Sequence, residues 1–314
     1  PMPIHRFISA IACGAALALG FAAIESRAAS AAYVVADSNS GFILDQNNAQ
    51  KKLQIGSLTK IATVMVVLDW AAASDADLSQ VATAPASIAQ LGPSQGVGFQ
   101  PGDQCSLRDL LYAAMMQSDN AAAQTLAEHV GRALPGDVPP LDRFVQQMNA
   151  LAKSRGMLRT RFLNPHGLEL ERPLPYSTAE DLAKLTSYAE ANPAFRFYGS
   201  QKERKISYTS ASGGPVSYLL RNTNELLGIQ DIDGVKTGTT QRAGQCLIIS
   251  AAKAPESVQK GDVHYITPRR LNVVVLGSDD RFREALGLLG RGWQYYEQWA
   301  AAGRPMKGWK PPQR

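Results

Sequence analysis

Read for hydrophobic and polar positions alone, the chain is strand-like near both ends and helical between them. A short apolar, β-branched run spans Ala32 to Asp37, turn residues follow at Asn39-Ser40-Gly41, and the apolar pattern resumes from Phe42 to Asp45, which predicts a β-hairpin. From Ser57 to about Ala73 the sequence is apolar almost throughout, through Ile61, Val64, Met65, Val67, Leu68 and Trp70. That run is too long for an ordinary strand and is hydrophobic on every side, so it predicts a helix inside the protein. It begins, unusually for a buried helix, at a serine.

Helical spacing or good helix formers then occupy Leu107 to Met116, Asn120 to Val130, Leu141 to Leu151 and Thr178 to Ala189, with Ser106 and Ser177 as candidate N-caps. Loops rich in Gly and Pro, Gly92 to Gly102 and Leu134 to Pro140, separate them. After Lys205 strand patterns return at 206–209, 216–220, 234–237, 246–251 and 271–276, and a helix from about Arg281 to Ala301 closes the fold. The Pro-, Lys- and Arg-containing residues 303–314 are expected to be a disordered tail. The pattern predicts an α/β (α+β) architecture in which an antiparallel sheet is flanked by helices. Residues 32–73 and 206–302 would form that part, and 74–205 a mostly helical insertion. The helix from Ser57 would lie at the seam between the halves, where clefts form.

The N-terminus adds a location. His5 and Arg6 precede an uncharged stretch from Phe7 to Ile24, then Glu25, Arg27 and the small residues Ala28 to Ala31. A basic start, apolar middle and small-residue exit describe a secretory signal peptide, residues 1–31, cleaved after Ala28 or Ala31. An uncleaved anchor is the alternative, weakened by the many alanines. An exported protein, periplasmic or secreted, is the expectation, with at most peripheral membrane association. The 314 residues are 45% hydrophobic and 19% charged with net charge +5, enough chain for a large core. The modest basic excess suits anionic surroundings, but no dense Lys/Arg block supports nucleic-acid binding. Of three cysteines, Cys13 would leave with the signal; Cys105 and Cys246 either pair or serve as small buried residues.

Three short motifs occur in order: Ser57-Leu58-Thr59-Lys60, Ser118-Asp119-Asn120 and Lys236-Thr237-Gly238. A serine hydroxyl needs a base before it attacks. On a helix Lys60 lies one turn from Ser57 and can reach its oxygen. Lysine acts as a base only when neutral, and both burial and a second cation, for which Lys236 is the candidate, push its pKa down. The helix start aims backbone dipole and free amides at the serine, whose own N–H can form half of an oxyanion hole. Each motif alone has a bland explanation: a capping serine, a helix N-cap at Ser118 or Asp119, a turn at Gly238. A second Ser-x-x-Lys, Ser257 to Lys260, sits in what reads as a polar loop. The joint occurrence in order is what carries weight.

Around these motifs, Gly56-Ser-Leu-Thr-Lys-Ile, Met115-Met-Gln-Ser-Asp-Asn-Ala-Ala, Phe162-Leu-Asn-Pro-His-Gly-Leu, Tyr176-Ser-Thr-Ala-Glu-Asp-Leu, Asn222-Thr-Asn-Glu-Leu-Leu and Asp233-Gly-Val-Lys-Thr-Gly-Thr-Thr resemble the low-molecular-mass penicillin-binding proteins, the serine-type D-Ala-D-Ala carboxypeptidases. The resemblance runs from about Ala32 to Ala300 and implies the serine β-lactamase/penicillin-binding-protein-like fold. It also implies roles: Ser57 as the acylated nucleophile, Lys60 as general base and Ser118 as the group passing a proton to the departing D-alanine. Asn120 would hold the substrate amide and Lys236 assist electrostatically. Thr237 and Thr239 would line an edge strand beside the peptide, Gly238 would let the substrate backbone come close, and the N–H of Thr239 would complete the oxyanion hole. The implied substrate is a peptidoglycan stem peptide ending in D-Ala-D-Ala, with β-lactams as inhibitors.

Departures accompany the likeness. Thr223 stands where many members carry an Arg that helps bind the terminal carboxylate, and Arg221 and Arg242 are the candidates to replace it. Ser-Asp-Asn stands where carboxypeptidases often show Ser-Gly-Asn. About eighty residues follow Lys-Thr-Gly, enough to finish the catalytic domain, so a further C-terminal domain is not expected. A DD-endopeptidase is the near alternative. A class A β-lactamase lacks support because no Glu-x-x-Leu-Asn occurs, and a non-catalytic β-lactam sensor need not retain Ser57, Lys60, Ser118 and Lys236. The histidines His5, His129, His166 and His264 show no metal-ligand spacing, so neither metal nor organic cofactor is expected, and His166 reads as structural.

Overall fold

The computed structural model describes residues 30–92, 96–170 and 172–312; up to residue 29, the segment expected to be a signal peptide lies outside them. In chain order, β1 (Ala32–Asp37) and β2 (Ile43–Asn47) form the expected hairpin, and a 3-10 turn at Gly56–Thr59 leads into α1 (Lys60–Ser74). Two short strands, β3 (Val81–Thr83) and β4 (Gln104–Ser106), flank the long loop before α2 (Leu107–Met116), α3 (Asn120–Ala133) and α4 (Pro140–Ser154). After α5 (Ala179–Glu190) and α6 (Pro193–Ser200) come β5 (Glu203–Thr209), β6 (Pro215–Arg221), β7 (Ile232–Thr240), β8 (Gly244–Lys260), β9 (Val263–Ser278) and α7 (Arg281–Ala301).

The main sheet is antiparallel with order β2-β1-β9-β8-β7, which leaves β7 at an edge. Strand alternation divides its side chains between two cores. Val34, Ala36, Ile248 and Val274 pack with α1, while Val35, Ile249, Val273 and Val275 pack with Leu288, Trp293 and Trp299 of α7. Burial on both faces explains the near-continuous apolar runs in these strands. Inside the first core, α1 buries Ile61, Val64, Met65 and Val67, as the all-round apolar pattern predicts, together with Lys60.

Three features depart from the sequence reading. The strands expected at 206–209 and 216–220 do not join the main sheet: β5 and β6 build a separate sheet of order β3-β4-β5-β6. Only Ile206 of β5 and Leu220 of β6 are buried, a one-sided pattern that an interior strand of the main sheet could not carry. Secondly, Ser257 and Lys260 lie in strand, not loop, because β8 and β9 continue as an exposed two-stranded ribbon with Ser257 opposite Ile266. Three residues of strand span about 10 Å of chain, so this Ser-x-x-Lys lacks the one-turn proximity of a helix. Thirdly, the tail is packed as far as it is described. Trp299 stacks on Phe42 at 4.8 Å and donates its indole N–H to the Pro305 carbonyl at 3.0 Å; Trp309 packs edge-on against Phe42 and Tyr295. Aromatic burial outweighs the polar composition that suggested disorder. Cys105 and Cys246 are both buried and free.

Trp309→Ala is expected to lower the unfolding free energy by about 1–2 kcal/mol, the scale of a partly buried aromatic contact. Urea denaturation reads this directly, and an unchanged midpoint would mean that the tail contributes no packing.

Candidate active site

The three motifs meet at the seam between α1, the α2–α3 turn and β7. Ser57 lies within the 3-10 turn and Lys60 is the first residue of α1. The Lys60 ammonium nitrogen is 2.8 Å from Ser57 Oγ, 2.7 Å from Asn120 Oδ1 and 3.1 Å from the His166 carbonyl oxygen. These three acceptors match the three N–H groups of a charged lysine. A neutral amine keeps two N–H groups and turns a lone pair to the third partner. Asn120 Oδ1 and the His166 carbonyl can only accept, so Ser57 alone can supply the proton for that reversed bond. Deprotonating Lys60 therefore orients the serine hydroxyl toward its base. Complete burial lowers the Lys60 pKa to about 7, against a smaller opposing pull from the Asp119 charge.

The second motif is held by its middle residue. Asp119 is buried and caps α3, accepting from Ala122 N at 2.7 Å and from Val97 N, across the loop, also at 2.7 Å. Burial raises its pKa, while these bonds and Lys60 pull it down. With the Asp119 N–H bonded to the Ala113 carbonyl, the turn is over-determined, and Ser118 sits partly exposed at φ +61°, a left-handed conformation rare for serine. Asn120 opens α3, and its contact with Lys60 leaves its side-chain N–H groups as donors.

The third motif runs along edge strand β7. Lys236 is buried and its amine reaches the Thr237 carbonyl at 3.0 Å. Its pKa is well below the usual lysine value, first through burial and then through the Lys60 and Arg281 charges. The Thr237 hydroxyl shares a 2.6 Å hydrogen bond with Thr223, so the residue standing at the family's Arg position is tied to this strand. At Gly238 the expectation of room for substrate meets a different reason for glycine. A Cβ there would lie 2.8 Å from the Ile55 carbonyl and 3.2 Å from Leu58 N, so it is the turn carrying Ser57 that demands the bare backbone. On the other flank, a Cβ at Gly167 would fall 1.9 Å from the Gly56 carbonyl.

Neither arginine proposed from sequence stands out at the site: Arg221 pairs with Glu203 on β6 and β5, and Arg242 is exposed in the β7–β8 turn. Instead Arg281, at the start of α7, donates to Thr239 Oγ1 at 2.7 Å and to the Gly238 carbonyl at 3.1 Å. Sequence reasoning missed it, although a cation in a first helical turn opposes the helix dipole and is a legible signal. It also missed the His166 carbonyl. The His166 ring is buried, with its pKa lowered to about 3 by burial and the Lys60 charge, and its Nδ1 accepts from Leu168 N at 3.2 Å. A neutral ring braced within its own turn fits the structural part expected of it.

A serine beside a buried lysine of depressed pKa, at the edge of an antiparallel sheet, defines the class: a serine acyl-transfer enzyme of penicillin-binding-protein fold. The chain belongs to the D-alanyl-D-alanine carboxypeptidase family, whose model matches residues 20–260. It is 34% identical over 232 residues to a D-alanyl-D-alanine endopeptidase of Pseudomonas aeruginosa, covering 72% of this chain and 68% of that one. It is 32% identical over 274 residues to the D-alanyl-D-alanine carboxypeptidase DacC of Escherichia coli, covering 85% of this chain and 62% of that one. Among solved structures, the Streptomyces K15 DD-transpeptidase superposes with TM-score 0.71 at 27% identity, covering 85% of this chain and 97% of that one. Penicillin-binding protein D2 from Listeria monocytogenes, in an ampicillin-bound form, superposes at 0.62 with 28% identity, covering 84% and 97%.

Lys60 makes stability depend on pH. Its folded pKa of about 7 lies below the ordinary 10.5, so between those values the unfolded chain binds more protons and stability rises with pH. Below pH 7 both states are protonated and this contribution is fully lost. Urea unfolding between pH 7 and 9 is expected to show a slope about 1.4 kcal/mol per pH unit steeper in wild type than in Lys60→Met. Equal slopes would show that Lys60 is not neutral in the fold.

Proposed function

We propose that this protein is an exported serine-type D-alanyl-D-alanine carboxypeptidase that removes the terminal D-alanine from peptidoglycan stem peptides. The observation that carries the reading is the Ser57–Lys60 contact, in which only the serine can donate to a neutral lysine. Lys60 takes the Ser57 proton as Oγ attacks the carbonyl of the penultimate D-alanine. The N–H groups of Ser57 and Thr239 stabilise the oxyanion. Ser118 relays a proton to the leaving nitrogen, D-alanine departs as a free amino acid, and an ester to Ser57 remains. Water then adds to that ester; its proton is taken up by the lysine and returned to Ser57 as the shortened peptide leaves.

Binding follows from the strand edge. Among the described residues strand β7 has no neighbour beyond it in the sheet, so the substrate backbone adds alongside Thr237 and Thr239 as an extra strand. Asn120 donates to a substrate amide. Lys236 is the second buried lysine of the site, its own charged form disfavoured by burial and then by the Lys60 charge. Arg281 holds the terminal carboxylate, with its Nη1 anchored on Gly238 and Thr239 and the rest of its fork turned to the anion. β-Lactams would acylate Ser57 by the same attack. The signal-like pattern at 1–31 supports export, and residues 32–302 would form the catalytic domain. A DD-endopeptidase is the second reading, favoured by the 34% identity to the Pseudomonas aeruginosa enzyme.

With an acyl-L-Lys-D-Ala-D-Ala peptide, wild type is expected to release D-alanine and Ser57→Ala to release none. The rate of Ser57 acylation should rise with pH through about 7 as Lys60 loses its proton. Arg281→Ala should lower kcat/KM by about 100-fold, with a smaller loss on a C-terminally amidated peptide. Release from a folded Ser57→Ala enzyme would sink the assignment of nucleophile.

A further inference from the structure

A cavity of about 240 Å³ opens beside Asn120, lined by Ile88, Leu91, Phe99, Gln100 and Ala121 together with the bare backbone of Gly92 and Gly98. Its volume is below the roughly 300–1,000 Å³ that encloses a whole small ligand, so it fits one side chain and not a whole stem peptide. One wall is Asn120, the residue whose amide would hold a substrate peptide bond. A group filling the cavity would therefore belong to a residue flanking that bond.

The chemistry of the walls is unusual for this chain. None of the lining residues is charged. The whole segment from Leu78 to Gly102, which supplies most of them, carries no Asp, Glu, Lys, Arg or His, although the chain is 19% charged. The segment is also fastened to the site. Asp119 holds Val97 N at one end, and near the other Ser87 donates to Glu128 at 2.9 Å and accepts from Gln124 at 3.2 Å, both on α3. These bonds turn the nearby acids Asp119 and Glu128 to the loop itself, and the buried carboxylate of Asp103 is likewise taken up by backbone, accepting from Gln100 N and Ala211 N at 2.8 Å each. At the mouth, Gln100 is exposed and gives its side-chain N–H to the Gly98 carbonyl at 3.0 Å, so its amide oxygen remains as an acceptor.

We propose that this cavity receives the side chain of the residue preceding D-Ala-D-Ala and selects an uncharged, amide-bearing one, such as an acylated diamino acid, over a free ammonium or carboxylate. The proposal rests on the peptidase reading of the site and adds the class of stem peptide it takes. Ile88, Phe99 and Ala121 cover the aliphatic stem, and the Gln100 oxygen accepts the side-chain amide N–H. A free ammonium or carboxylate would lose hydration there and find no counter-charge. Acylation of the stem amine is what a cross-link does, so the preferred stem peptides are those already carrying that amide.

The test uses three acyl-X-D-Ala-D-Ala peptides in which X is L-lysine, Nε-acetyl-L-lysine or Nε-succinyl-L-lysine. With wild type, kcat/KM for the acetylated peptide should exceed both charged ones by about tenfold, mainly through KM. Gln100→Glu, at an exposed position, should shift preference toward free lysine by a similar factor. Calorimetric binding of the same peptides to Ser57→Ala reads the cavity without turnover. Tighter binding of the acetylated peptide supports the proposal even if wild type releases no D-alanine, an outcome that would overturn only the carboxypeptidase reading. Equal affinities for all three peptides, absence of binding, or a preference unmoved by Gln100→Glu would overturn the cavity assignment.

Discussion

Two buried lysine amines, one of them feeling the charge of the other, are the constraint on which the rest of this structure depends. Lys60 and Lys236 both lie in the interior, and each would be ordinary only in water. Burial by itself favours their neutral forms, and mutual repulsion adds to that for Lys236. Keeping them dry requires a helix that is apolar on all sides, a main sheet covered on both faces and a backbone carbonyl, from His166, aimed into the core. The cost of hiding a lysine is what makes one reactive.

How much of this the sequence exposed depended on whether a feature resides in side-chain type or in backbone placement. The buried helix, the hairpin at the start and the closing helix were legible because hydrophobic periodicity encodes them. The second sheet was not, because β3 and β4 are three residues each, too short for a period to register. Ser57, Lys60, Ser118, Asn120 and Lys236 were visible as residue types. The His166 carbonyl was invisible because every residue carries one, and only the fold says which points at a lysine. Gly238 was visible, but one reason for it was not. The resemblance implied a path for a ligand, and the fold adds a contact that forbids a side chain, from the protein's own Ile55 and Leu58.

The walls around the reacting serine differ in polarity from one side to the other. Toward β7 and α7 stands Arg281, whose positive charge suits the end of a chain. Toward α3 stands a segment without formal charge, anchored through Asp119. On the proposed reading, a substrate meeting both walls presents an anion at one end and a neutral group at the other, and that asymmetry fixes its direction along the strand. The middle residue of the second motif, easily taken for a mere cap, is what couples the uncharged wall to the serine's surroundings.

The turn that bears Ser57 is gripped between Gly167 on one flank and Gly238 on the other, backbone against backbone. Side-chain packing leaves a held group some freedom, since rotamers hop and neighbours adjust. Peptide planes offer no such slack. On the proposed reading, a nucleophile seated between them has little reorganisation left to undergo when a substrate arrives, so much of the ordering that acylation needs is completed during folding.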